Sequence, residues 1–177
     1  FFLESPRGKA RRTEVTRAFQ QAPVRPAAHA GGAYPDDRVE LQDFLTSRCF
    51  SRQPPKKTRR ELVALVAPHI DPYRGAVGYG RAYEALAAGL PESVDTFVLL
   101  GTCHAPMQHP FALTAKAFAT PLGDLACDRK AIEFLAKRAG FDAFGSEFSH
   151  KREHSLEFQA VMLKHALPDR TIRIVPI

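Results

Sequence analysis

Glu61-Leu62-Val63-Ala64-Leu65-Val66-Ala67-Pro68-His69 and Thr96-Phe97-Val98-Leu99-Leu100-Gly101-Thr102-Cys103-His104 decide how this chain reads. The first is a nearly continuous apolar run closed by Pro68, the pattern of a strand buried on both faces of a parallel sheet. The second is another such run, ending at Gly101. Between them, Tyr79, Tyr83 and Leu86 fall on one side of a helix expected over residues 75–89. Strand, helix and strand in this order form a βαβ unit, whose crossover is almost always right-handed. Ligands of open parallel sheets bind beyond the carboxyl ends of the strands. His69 and His104 stand at two such ends. If the strands are neighbours, those ends lie about 5 Å apart, and nitrogen–metal bonds of about 2 Å let both imidazoles reach one ion.

Working outward, residues 4–21 predict an Arg-rich, weakly amphipathic helix that Pro23 and Pro26 terminate. Asp36 or Asp37 is placed to cap a helix from Val39 to Ser47 with Val39, Leu41, Phe44 and Leu45 as its apolar stripe. Residues 111–119 read as extended. Asp128 is placed to cap a helix over Arg129–Ala139, which Gly140 closes. Leu156, Ala160, Leu163 and Leu167 give residues 153–167 one buried stripe, and 171–177 alternate as a strand. The expected class is α/β, a mainly parallel or mixed sheet with helices on both faces. Residues 1–26 read as a helical extension and linker, and 27–177 as the α/β domain. The first residue is Phe and the terminal strand stops abruptly, so the domain is expected to be incomplete at its C-terminal end.

The net charge of +6 hints at nucleic acid, but its distribution argues against that. Residues 1–60 carry 13 basic and 6 acidic side chains, whereas 61–177 carry 12 and 13. The excess therefore lies ahead of the main body. No aromatic residue interleaves with the basic run Arg52–Arg60, which reads as a solvated connection. No apolar run approaches the ~20 residues of a membrane span. Cys49, Cys103 and Cys127 are odd in number and widely spaced, with no CxxC pair. This argues against a disulfide framework and a cysteine zinc site and fits a cytoplasmic protein.

Four motifs occur in order: His29-Ala30-Gly31-Gly32-Ala33-Tyr34; Ala67-Pro68-His69-Ile70-Asp71-Pro72-Tyr73-Arg74-Gly75; Leu100-Gly101-Thr102-Cys103-His104-Ala105-Pro106; and Glu153-His154-Ser155-Leu156-Glu157. Together with Thr120-Pro121-Leu122-Gly123-Asp124-Leu125, this succession resembles the MEMO-like family, the B component of the bacterial AmmeMemoRadiSam system. The resemblance implies a fold similar to class III extradiol dioxygenases and a divalent metal, iron first, with zinc or copper as alternatives. It implies His69 and His104 as metal ligands, a third ligand beyond Ile177, and His154 in the same pocket. It also implies radical-SAM and AMMECR1-like partner proteins. The chain departs from the commoner family pattern in having Ile70-Asp71-Pro72-Tyr73 after the first histidine and Cys103-His104-Ala105 around the second.

Each remaining residue has a bland reading beside the functional one. His154 is a general acid/base or a hydrogen-bond donor behind the metal ligands, or else a helix-start residue bonded to a nearby loop. The helix dipole at that position favours its neutral form. Glu157, one turn on, and its neighbour Glu153 either serve the site, with Glu157 orienting the His154 ring, or are solvated helix carboxylates. Asp71 is an oxygen ligand, a base or a turn-former. Cys103, pointing opposite to His104 in an extended segment, is a pocket-lining thiol or a small buried hydrophobe. His29 lines the pocket or fixes its loop. His109, His150 and His165 read as surface residues. The functions these permit are a metal-dependent oxidoreductase or dioxygenase, or an adaptor holding a small molecule, peptide or partner in the cleft. A Cys103–His hydrolase is the least supported.

Overall fold

The computed structural model describes residues 4–50 and 62–177. The basic connection at 52–60 therefore lies outside the described residues. The sheet is built around β5 (Arg173–Pro176), flanked in parallel by β2 (Thr96–Leu99) and β4 (Ala126–Cys127). Alternation along β5 sends its side chains to opposite faces. Ile174 enters one apolar cluster with Tyr79, Tyr83 and Leu86 of α3 (Pro72–Gly89) and Leu156, Phe158 and Leu163 of α5 (His154–Ala166). Val175 enters a second cluster with Leu113 and with Ile132 of α4 (Arg129–Ala136). The expected arrangement, a parallel sheet with helices on both faces, is the one observed. Full burial of each large side chain stabilises it by roughly 1.5–3 kcal/mol. A second, two-stranded parallel pair joins β1 (Val24–Arg25) to β3 (Ala117–Phe118). An antiparallel bridge from Phe118 to Leu125 ties β3 towards β4.

Helix starts follow the capping residues. Asp37 accepts from Val39 and Glu40 N–H at the head of α2 (Arg38–Phe44), Asp71 from Arg74 N–H at α3, and Asp128 from Ala131 N–H at α4. Helix α1 (Pro6–Gln21) is capped by Ser5. The buried Lys116 ammonium anchors its far end, donating to the carbonyls of Gln20 and Ala22. Phe19 packs edge-on against Phe148 of the 3-10 helix Glu147–Arg152. α2 runs into a π-helical turn, Leu45–Cys49. The Cys49 carbonyl there meets α3 where it has no side chain: a Cβ on Gly80 would lie 1.6 Å from that oxygen.

Several expectations are corrected. Residues 62–67 form no strand. Their one backbone bond recorded among the described residues runs from Leu62 N–H to the Gly89 carbonyl. Val63 and Val66 are almost wholly exposed, at 95% and 96%. The apolar run signalled a wish for burial but not an available partner. β2 is likewise not buried on both sides: Phe97 and Leu99 face the core while Val98 and Leu100 face solvent. The βαβ unit is therefore present as chain path without its first ladder. Val39 is exposed, and α3 begins at Pro72, earlier than expected, because Asp71 caps it. α4 ends at Ala136, short of the expected Ala139. His150 is buried, not superficial, with Nε2 donating to the Ala112 carbonyl and Nδ1 unpartnered among the described residues. His165 is half-buried against Phe50, and His109 stacks on Phe141.

Burial drives the His150 pKa from its ordinary 6.5 to about 4. Between these values the unfolded chain binds a proton that the folded chain refuses. Stability therefore falls as pH drops from about 6.5 towards about 4, by at most about 3.5 kcal/mol at ~1.4 kcal/mol per unit. Urea unfolding at pH 7 and 4.5 should show this loss, and it should shrink in His150→Gln, which keeps a donor for Ala112. Gly80→Ala sets a side chain against backbone that cannot rotate away. It should lower unfolding free energy by at least about 3 kcal/mol in the same assay.

Candidate metal centre

The chain enters α3 and leaves β2 and the 3-10 helix so that three histidines meet beyond the carboxyl end of β2. His69 precedes the α3 cap, His104 follows β2, and His154 opens α5. Ring centroids are 5.5 Å apart for His69–His104, 5.8 Å for His69–His154 and 4.4 Å for His104–His154. One nitrogen from each ring can be chosen so that all three lie within 4.8 Å of one another. Two bonds of about 2.1 Å span at most about 4.2 Å. Small ring rotations therefore bring the set onto one ion. His69 and His104 are exposed and His154 is half-buried, so the site opens to solvent.

Two devices hold this geometry. The first is the seat of α5 on the segment after β2. Ser155 Oγ accepts from Thr102 N–H at 3.0 Å and donates to the Thr102 carbonyl at 3.1 Å. The buried Glu153 caps α5 by accepting from Ser155 N–H at 2.9 Å. It also accepts from His104 N–H at 3.0 Å and from His104 Nδ1 at 3.0 and 3.2 Å. Burial alone would raise the Glu153 pKa, but the hydrogen bonds from Ser155 and His104 outweigh it and hold it below the ordinary carboxylate value. An ionised carboxylate can only accept, so the proton of His104 sits on Nδ1 and the lone pair on Nε2.

The second device lies beneath. Glu157 is fully buried and pairs with Arg25 at 2.6 Å. It accepts from the Tyr34 hydroxyl at 2.5 Å and from the N–H groups of Ala28 and His29 at 3.1 and 2.9 Å. Arg25 in turn donates to the carbonyls of His150, Pro26 and Glu153. Glu157 thus fixes the His29 loop to α5 from below. The structure brings it to neither the cleft nor the His154 ring, and it is not a solvated carboxylate. Nothing in the sequence flagged Arg25 as its partner, because a lone arginine beside Pro26 carries no spacing signal.

Two other expected residues border the histidines. His29 stacks edge-on at 5.7 Å from His154 and bonds through Nε2 to the Arg152 carbonyl. Asp71 caps α3 and pairs with Arg74, whose guanidinium holds its carboxyl below the usual range. With His69, His154, Phe158 and Arg74 they line an open cleft of about 560 Å³. Cys103 faces elsewhere: its thiol donates to the Ala105 carbonyl, and it lines a separate, largely apolar cavity of about 340 Å³ with Met107, Phe111 and Leu156. Sequence reasoning gave His154 to proton transfer and looked for a third ligand beyond Ile177. The geometry instead groups His154 with the other two donors. Burial lowers its pKa, and the neighbouring histidines add to this against the opposing Glu153 charge. The ring is therefore neutral and free to donate a lone pair at pH 7. The thiols of Cys49 and Cys127 are pushed by burial to about 12.

The family description for Memo-like proteins matches residues 25–177. The chain belongs to that family. It is 34% identical to a MEMO1 family protein of Aquifex aeolicus over 152 residues, 86% of this chain and 38% of that one. It is 31% identical to one from Thermus thermophilus, covering 86% of this chain and 45% of the relative. It is 34% identical to one from Thermococcus onnurineus, covering 87% and 52%. The chain thus spans about half or less of the length of these relatives. Among the described residues no helix is long and apolar enough to cross a membrane.

Replacing Glu153 by Gln removes a charge-assisted bond of about 1.5–3 kcal/mol from the His104 ring. Nitrogen-15 spectra should then show the Nδ1–H tautomer of His104 losing at least about tenfold in its ratio to Nε2–H.

Proposed function

We propose that this protein is a metal-binding member of its family in which His69, His104 and His154 hold one divalent transition-metal ion. The observation that carries this reading is the convergence of three imidazole nitrogens within 4.8 Å. Two features support it: the lone pair of His104 is turned away from Glu153, and His154 stays neutral. The N-termini of α3 and α5 both end beside the cluster, and their dipoles disfavour imidazolium there. Iron is proposed on the family resemblance, while three neutral imidazoles also suit zinc and copper.

Such an ion, when bound, supplies a Lewis acid with positions open to an oxygen ligand. The chain's own residues would do the rest. Glu153 fixes His104. Phe158 and Ala33 give the cleft apolar wall, and His29, with Nε2 committed to the Arg152 carbonyl, keeps Nδ1 as a proton acceptor. With His154 engaged as a ligand, His29 takes over proton acceptance. An oxidoreductase or dioxygenase reaction on this centre, and work beside radical-SAM and AMMECR1-like partners, are proposed from the resemblance alone. A second reading, an adaptor that binds a peptide or partner, draws on the exposed Val63, Val66, Val98 and Leu100.

Titration with Zn²⁺ or Co²⁺, followed by calorimetry and the visible bands of cobalt, should give one ion per chain. His69→Ala, His104→Ala and His154→Ala should each lower affinity at least about 100-fold, beyond what loss of an orienting partner costs. Unchanged affinity in His154→Ala would return the third position to another donor. Iron-loaded protein that consumes oxygen with catechols would favour the dioxygenase reading over the adaptor.

A further inference from the structure

The cleft in front of the three histidines carries its fixed charge at one point. Apart from the imidazoles, the ionisable residues among those lining it are Asp71 and Arg74. Asp71 is engaged twice over: one carboxylate oxygen caps α3 through Arg74 N–H, and the other accepts from Arg74 Nε. The second bond holds the guanidinium at the cleft wall. It leaves the two terminal nitrogens of Arg74 with no partner among the described residues. The Arg74 side chain is 74% exposed, and an exposed pair of this kind adds little to stability. The start of α3 does not depend on it, because the cap is made by the backbone N–H. A planar guanidinium edge presents two parallel donors, which match the two oxygens of a carboxylate.

The rest of the cleft narrows the choice of anion. A phosphate dianion calls for several donors, and the helix starts beside the centre have theirs in use. In α3, Pro72 has no N–H, and those of Tyr73 and Arg74 face the Asp71 carboxylate. In α5, Ser155 N–H is held by Glu153. One guanidinium edge remains, enough for one carboxylate. Ala33, Ile70 and Phe158 give the same cleft apolar wall, and its volume of about 560 Å³ lies in the range of small-molecule sites.

We propose that the centre takes a small organic carboxylate with an apolar body and a second oxygen donor. Its carboxylate pairs with Arg74, its apolar body lies on the wall of Phe158 and Ile70, and its hydroxyl or phenol oxygen goes to an open position on the ion. The proposal rests on the metal reading above and adds a ligand class to it. Arg74 sets the specificity, and Asp71 is a positioning residue that aims it.

Calorimetry on the zinc-loaded chain tests this with 3,4-dihydroxybenzoate and catechol, which differ only in the carboxylate. The dihydroxybenzoate should bind at least about tenfold more tightly, the scale of one charge-assisted pair. Arg74→Gln should abolish that advantage while leaving zinc affinity, catechol affinity and thermal unfolding as in the parent. Equal affinities in the parent, no binding of the dihydroxybenzoate, or an advantage that survives in Arg74→Gln overturns the ligand class. If zinc still binds at one ion per chain, the metal reading stands. Phenyl phosphate that binds more tightly than the dihydroxybenzoate, and is weakened by Arg74→Gln, overturns the carboxylate assignment in favour of a phosphate. An absence of zinc binding sinks both the ligand class and the metal reading.

Discussion

A single buried guanidinium organises the region around the candidate centre. Arg25 is sealed from water and bonded to the carbonyls of His150 and Glu153, at the entry to α5, and to that of Pro26. Its charge is balanced by Glu157 inside α5. Burying such a pair incurs desolvation of several kcal/mol per ion, offset only when geometry and hydrogen bonding are near complete. Here the carboxylate also receives a hydroxyl and two backbone N–H groups. Burial and the adjacent Glu157 carboxylate raise the pKa of Tyr34 and keep its hydroxyl protonated as a donor. The 3-10 helix, the start of α5 and the His29 loop are thus fastened to one point. His29 and His154 inherit their relative positions from it.

The two carboxylates at the head of α5 divide the work by depth. Glu157, below, locks backbone to backbone. Glu153, above, locks a side chain, leaving one nitrogen of His104 free for chemistry. Neither needs to enter a coordination sphere to matter. An orienting carboxylate behind an imidazole raises its basicity and fixes its tautomer. The carboxylates of Glu153 and Glu157 thus stand behind the three imidazoles and are engaged elsewhere.

The helices and their starts were legible in the sequence because each is decided locally. Asp37, Asp71 and Asp128 cap helices wherever the chain goes next, and the stripe from Leu156 to Leu163 is buried by whatever α5 rests on. The pairing of His69 with His104 was legible for a similar reason: both follow apolar runs joined by one helix. What was not legible depends on partners distant in sequence. Arg25 and Glu157 are 132 residues apart, and no period links them. His150 looked like any polar loop residue until the Ala112 carbonyl came to meet it. The run at 62–67 has the composition of a buried strand, but composition cannot say whether a neighbour is within reach.

The contrast among the three thiols has a practical use. Cys49 and Cys127 are buried and held protonated near neutrality, so alkylating reagents attack them slowly. Cys103 is partly accessible and sits one residue from His104, with its sulfur on the opposite side of the backbone from the imidazole cluster. A fluorophore or spin label offered to the unaltered chain should therefore attach chiefly at Cys103. It would report on that loop without occupying the place of an ion, and no background cysteine need first be removed.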